Sequence, residues 1–137
     1  PNLINLGLLT IRLALGICFV VHGLGKLGIV GPGNMQGFVG WLASLKVPIP
    51  ALMARIAMLS ELVGGVFFAL GFFTRPTGLV LVSTMVVAGL IGHRGGGYLI
   101  TNNPPGNEYT INLAVVVFSI IVMGPGQFSL DHFLWIQ

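Results

Sequence analysis

Long runs of apolar residues, separated by short polar or glycine- and proline-rich segments, make up most of this chain. The runs cover residues 3–27, 51–73, 76–92 and 109–124. Their lengths are close to the roughly 20 residues that a helix needs to cross a bilayer, because each residue adds about 1.5 Å of rise. The pattern therefore predicts four membrane-spanning helices.

One further apolar segment, residues 35–45, is too short to span. Its apolar residues recur at helical spacing around Trp41, which is typical of a helix at the membrane surface. The sequence thus predicts an all-α membrane protein in a single domain of residues 1–137. Its fold is expected to be a four-transmembrane-helix bundle with a short interfacial helix between helices 1 and 2.

The connections predict which helices are neighbours. Thr74, Arg75 and Pro76 are predicted to form a tight turn, so the second and third spans should be antiparallel neighbours. Four spans place both termini on one side of the membrane and two longer connections on the other, which we call the loop side. The excess of Lys and Arg there favours a cytoplasmic loop side.

Composition supports a membrane protein and excludes one class of partner. The chain is 55% hydrophobic and 7% charged, whereas soluble domains carry roughly 25% charged residues. Its net charge of +3 comes from six scattered basic residues against three acidic ones. Because these cations form no stripe, we expect lipid as a partner and no nucleic acid.

Two charges fall deep inside predicted spans, well away from the ends. A charge at the centre of a bilayer costs about 2.5 to 3.5 kcal/mol, and helical rise puts Arg12 and Glu61 at similar depths, so an intramembrane ion pair is predicted. The pair is equally consistent with a purely architectural role and with a relay. Four glycines are expected to let these helices pack closely: Gly16, Gly23, Gly64 and Gly65.

Several titratable residues fall near the loop-side ends of the spans. They are predicted to form one polar mouth, which suits a polar headgroup with an apolar tail between the helices, as in a quinone. His22 could exchange a proton with a quinone oxygen at neutral pH. The predicted mouth consists of His22, Lys26, Arg55, His93, Arg94 and Glu108.

Other cofactor chemistry has weaker support. Cys18 is the only cysteine, so the chain has no intramolecular disulfide and no CxxC pair. His22 and His93 could ligate haem from two helices, but histidines near helix ends more often bond to loop groups. We therefore expect no metal site and no covalently bound cofactor, disfavour haem, and keep quinone as the candidate. Which residues would be catalytic stays open.

Five segments resemble the DoxX family of small membrane proteins in order and spacing. Together they cover nearly the whole chain. They are RLALGICFVVHGLGKL (12–27), PIPALMARIAMLSELVGGVFFALGFFTR (48–75), AGLIGH (88–93), NEYTINLAV (107–115) and GPGQFSLD (124–131).

The resemblance implies a four-helix membrane bundle in a bacterial inner membrane. The family takes its name from a subunit of a thiosulfate:quinone oxidoreductase, and other members are linked to membrane redox and thiol-stress complexes. The family's motif positions fall at Arg12, His22, Gly23, Lys26, Glu61, Gly64, Gly65, His93, Glu108, Gly124, Gly126 and Asp131.

Two functions are compatible with these features, and neither makes the chain an enzyme on its own. The first is a membrane subunit of a quinone-linked redox complex, which anchors a partner oxidoreductase and contributes to a quinone site. The alternative is a non-catalytic structural or assembly subunit of a larger membrane complex. A small transporter has less support, because no inverted repeat is evident. Oligomeric state, including a homo-oligomer, stays open.

Overall fold

The computed structural model describes residues 2–135, and within that range the chain is helical without β-strands. The fourth helix continues into a π-helical turn at Ala88–Gly92. The six α-helices are α1 (Asn2–Leu27), α2 (Met35–Ser44), α3 (Pro50–Leu70), α4 (Thr74–Val87), α5 (Glu108–Met123) and α6 (Leu130–Leu134).

Within residues 2–135, three helices are long and apolar enough to cross a membrane: Asn2–Leu27, Pro50–Leu70 and Thr74–Gly92. Helix α5 is also apolar but has only 16 residues, which rise about 24 Å, less than the roughly 30 Å of a bilayer core. A fourth span at α5 and an interfacial position for α2 stay predictions.

Local sequence explains where helix α2 begins. The Asn34 side chain accepts a hydrogen bond from the backbone N–H of Gly37 at 2.7 Å, which satisfies one of the free donors of the first turn. Helix α3 begins at Pro50. Proline has no backbone N–H, and this costs nothing in the first turn, where an N–H would have no partner within the helix.

The predicted turn at Thr74, Arg75 and Pro76 is wrong, because these residues form the first turn of α4. A proline is accepted there since the N–H it lacks would have no partner within the helix. The turn is made instead by the residues just before, where Gly71 and Phe73 adopt left-handed backbone conformations. Gly71 ends α3 with its N–H bonded to the Phe68 carbonyl at 3.1 Å.

Glycines set the close approach of α1 to α3. A side chain at Gly16 would lie 2.7 Å from the Gly65 carbonyl oxygen, and one at Gly23 would lie 3.0 Å from the Leu62 backbone. These contacts fix an antiparallel register in which Gly16 faces Gly65. Gly64 instead faces Leu81 of α4, so α3 packs against a neighbour on each side.

The core lies between α1, α3, α4 and α5. Phe19, Phe68, Leu81, Val117 and Ile120 are fully buried there. Many large apolar residues on the outer faces of the same helices are exposed, among them Ile17, Leu59, Leu79 and Phe118. Apolar outer faces on helices of this length suit contact with lipid.

The π-helical turn contacts both α2 and α5. Gly92 leaves room for the Trp41 ring, because a side chain there would lie 2.9 Å from that ring. Gly89 likewise faces the Thr110 hydroxyl of α5. π-helical turns occur often at functional sites, and this one lies beside the groove described below.

Candidate functional site

Glu61 is held by Lys26. Their Nζ and Oε1 atoms are 2.5 Å apart, and Glu61 is buried while the Lys26 side chain is 23% exposed. The Lys26 ammonium also lies 5.1 Å from the centre of the Phe38 ring, a favourable cation–π distance. Lys26 therefore joins α1 to both α3 and α2.

The predicted ion pair between Arg12 and Glu61 is not formed among the described residues. Helical rise puts the two charges at similar depths only if the loop-side ends of their helices, at Lys26 and Ala51, are level. The glycine contacts show instead that the loop-side end of α1 lies beside the middle of α3, so α3 begins further out. Glu61 is consequently level with Lys26, and Arg12 lies more than two helical turns away towards the termini.

Arg12 is fully buried at the terminal side. Its Nη2 donates a hydrogen bond to the Phe128 carbonyl. Nε and Nη1 have no hydrogen-bond partner within residues 2–135. Arg12 thus ties α1 to the C-terminal segment instead of to Glu61.

Asp131 caps a helix other than its own. Its Oδ1 accepts from the Phe73 N–H at 2.6 Å and its Oδ2 accepts from the Thr74 N–H at 2.8 Å. These are the free donors at the start of α4, where a carboxylate is favourable. The Asp131 N–H also donates a hydrogen bond to the Gly71 carbonyl at 2.8 Å. The C-terminal segment is therefore bonded to the turn between α3 and α4.

A second polar cluster, made of Cys18, His22 and Tyr109, joins α1 to α5. Tyr109 was not among the site residues predicted from the sequence. The Tyr109 hydroxyl lies 2.5 Å from His22 Nε2 and 3.2 Å from Cys18 Sγ. Cys18 and His22 are four residues apart and so share a face of α1. The four-residue spacing of Cys18 and His22, together with a tyrosine at the start of a later helix, is the sequence feature that could have predicted this cluster.

A groove lies beside His22 on the loop side. Its volume is about 680 Å³, and it opens between the end of α1, the loop after it and α2. His22 and Lys26 line one wall, while Phe38 and Trp41 line the other. The groove therefore combines two aromatic rings with a histidine and a lysine.

The other four residues of the predicted mouth lie outside the groove lining. Arg55 is exposed and bonds to the Ala51 carbonyl of its own helix at 3.0 Å. His93 Nδ1 lies 3.2 Å from the Pro105 carbonyl oxygen in the loop that follows. Arg94 is exposed, and Glu108 is in the first turn of α5, where its charge favours the helix.

Metal ligands do not cluster in the part of the chain that the structure describes. No group of three or more His, Cys, Asp or Glu side chains is placed to hold an ion within residues 2–135. His22 and His93 each contact a protein group, as given above. The expectation that haem is not used stays a prediction.

The long apolar helices, with charges buried between them, define a multi-pass helical membrane protein. The chain belongs to the DoxX family, whose model matches residues 7–94. This finding confirms the resemblance carried by the five sequence segments.

Three relatives are similar to the chain over most or much of its length. Inner membrane protein YphA of Escherichia coli is 30% identical, over 91% of this chain and 88% of its own. Inner membrane protein YqjF of the same organism is 26% identical, over 95% and 93%. "Putative oxidoreductase CatD" of Bacillus subtilis is 34% identical, over 61% and 58%. No solved structure matches the chain.

The two Escherichia coli relatives, the family and the long apolar helices agree on location. The chain is a multi-pass protein of a bacterial inner membrane. This confirms the predicted localisation and the predicted contact with a lipid bilayer.

Proposed function

We propose that this chain is the membrane subunit of a quinone-linked redox complex, with a quinone headgroup in the groove between α1 and α2. The observation that carries the proposal is the composition of that groove, where His22 and Lys26 face Phe38 and Trp41. A flat ring with two carbonyl oxygens needs apolar surface for the ring and hydrogen-bond donors for the oxygens. The groove offers both.

The residues present fit such a ligand. Phe38 and Trp41 would contact the ring, and His22 and Lys26 would donate to its oxygens. A bound quinone supplies two-electron, two-proton redox chemistry to the complex. The side chains of this subunit would bind and orient it, and the apolar outer faces nearby would accommodate its tail.

The partner in this proposal is an oxidoreductase bound on the loop side. The loop between the π-helical turn and α5 leaves Tyr98, Leu99 and Ile100 exposed by 50%, 53% and 43%, which gives an apolar surface for docking. The name of the Bacillus subtilis relative, "Putative oxidoreductase CatD", supports a redox role for this family member.

The second candidate is a non-catalytic structural subunit of a larger membrane complex. The observation that favours it is that the buried charges serve internal contacts: Glu61 bonds to Lys26, and Asp131 caps α4. In this case the groove would hold lipid, and changes at His22 would leave the activity of the complex unchanged.

Purification from native membranes separates the two candidates. Tagged protein is extracted in mild detergent, and mass spectrometry identifies the proteins and the quinone recovered with it. Stoichiometric recovery of an oxidoreductase together with quinone supports the first candidate. Recovery within a large complex whose activity survives His22→Gln supports the second. Recovery of the chain alone, without quinone, would contradict the first.

A further inference from the structure

The hydrogen bonds from His22 through Tyr109 to Cys18 can run in one of two directions. In the first, the thiol donates to the phenol oxygen and the phenol O–H donates to Nε2 of a neutral His22. In the second, Nε2–H donates to the phenol oxygen and the phenol O–H donates to the sulfur. The direction decides which nitrogen of His22 carries the ring proton.

The strengths of the donors and acceptors favour the first direction. An unprotonated imidazole nitrogen is basic and accepts strongly, whereas a thiol sulfur accepts weakly. The phenol O–H is the stronger acid of the two possible donors in the short contact between Tyr109 and His22. The O···N distance of 2.5 Å is short, as expected for a strong hydrogen bond between the phenol and the imidazole.

We propose that Tyr109 is a positioning residue that fixes neutral His22 as the Nδ1–H tautomer, so that the groove presents a hydrogen-bond donor there. Nε2 is occupied by Tyr109, and Nδ1 has no partner among residues 2–135. The groove ligand at this wall is therefore one with an acceptor oxygen, such as a carbonyl. Ligands that offer only a donor are disfavoured, since Nδ1 has no free lone pair.

Helix placement makes Tyr109 suited to this role. It lies in the first turn of α5, and its ring centre is 5.4 Å from that of His22 on α1. Cys18 supplies the second contact of the hydroxyl from one turn earlier in α1. The hydroxyl is thus held from two positions on one helix face, which restricts its rotation.

The ligand-free protein tests the tautomer directly. Protein labelled with ¹⁵N-histidine is measured in detergent at neutral pH, and the His22 signals are assigned by their loss in His22→Gln. We expect Nδ1 to show the shift of a protonated nitrogen and Nε2 that of an acceptor. Protonated Nε2 in the wild type would overturn the proposal.

Tyr109→Phe is the informative variant, because it keeps the ring and removes only the hydroxyl. We expect the His22 signals to move to a mixture of tautomers, while those of His93 and His132 stay in place as a check on the fold. Tyr98→Phe is the matched control, because it also removes a phenol hydroxyl, but one that contacts Asn112 and not His22; it should leave the His22 tautomer unchanged. Unchanged His22 signals in Tyr109→Phe would also overturn the proposal.

Binding of decyl-ubiquinone extends the test, and this part rests on the proposed function. Loss of the oriented donor should weaken its affinity about tenfold in Tyr109→Phe and leave it unchanged in Tyr98→Phe. If the wild type has the Nδ1–H tautomer but does not bind the probe, the proposed function fails and the tautomer assignment stands. An affinity unchanged in Tyr109→Phe would overturn the positioning role.

Discussion

The charge of Glu61 is tolerated inside α3 because the long side chain of Lys26 reaches it from a partly exposed position. Glu61 is 3% exposed, whereas Lys26 reaches solvent. Removing one member of a buried pair leaves the other without its counter-charge, which costs more than removing both.

Lys26→Met should therefore lower the free energy of unfolding by about 3 kcal/mol. Adding Glu61→Gln should recover most of that loss, because the unpaired carboxylate is then gone. Unfolding in mixed detergent micelles, followed by tryptophan fluorescence, measures both variants. Arg12→Met combined with Glu61→Gln should be additive, since those residues are not in contact, and strong coupling between them would contradict the observed pairing.

The hydrogen bonds of Asp131 on the terminal side are predicted to stabilise the start of helix α4. Asp131→Ala removes both acceptors for the Phe73 and Thr74 N–H groups and should cost about 2 kcal/mol of stability. His132→Ala, at the exposed next position, is the matched control and should change little. Equal stability of the two variants would show that the cap contributes nothing.

Close packing of α1 against α3 gives a second prediction for elements. A side chain at Gly65 would lie 2.8 Å from the Gly16 carbonyl oxygen and 2.9 Å from the Val20 backbone N. Backbone atoms cannot move aside cheaply, so Gly65→Ala should lower stability by about 1–3 kcal/mol.

Gly40→Ala provides the control for Gly65→Ala. Gly40 lies in α2 with open space around it, and alanine is the better helix former by about 0.5–1 kcal/mol. It should therefore be neutral or slightly stabilising in the same fluorescence assay. A loss of stability at Gly40 as large as at Gly65 would indicate that helix propensity or detergent, and not packing, explains the result.

Hydropathy predicted the long helices well, because their length and composition follow from the thickness of the bilayer. It could not predict the vertical offset of α1 against α3, which the glycine contacts determine. For that reason Glu61 was assigned to Arg12 instead of Lys26. The sequence marks Asp131 only as a family motif position, since its role at α4 depends on a contact 57 residues away in the chain.

The sequence predicted only some of the residues that line the candidate site. His22 and Lys26 line the groove because both lie on the last two turns of α1. Arg55, His93, Arg94 and Glu108 share only their depth with these residues. Depth alone does not bring side chains together when the helices that carry them face different neighbours.

For the whole molecule, the proposal predicts that quinone binding depends on the groove, whereas assembly with the oxidoreductase depends on the exposed loop between the π-helical turn and α5. Tyr98→Ala combined with Leu99→Ser should release the partner oxidoreductase and leave the isolated chain folded, because both residues are exposed. Co-purification and circular dichroism check the two parts. Retention of the partner would place its docking surface elsewhere.

The central claim is that the groove between α1 and α2 holds a quinone headgroup, and photolabelling tests it most directly. The protein is placed in lipid vesicles, labelled with an azido-quinone and digested, and the modified peptides are identified by mass spectrometry. We predict saturable labelling within residues 21–41 that excess decyl-ubiquinone displaces and that Trp41→Leu reduces. Labelling spread evenly over the lipid-facing helices, without displacement, would contradict the account.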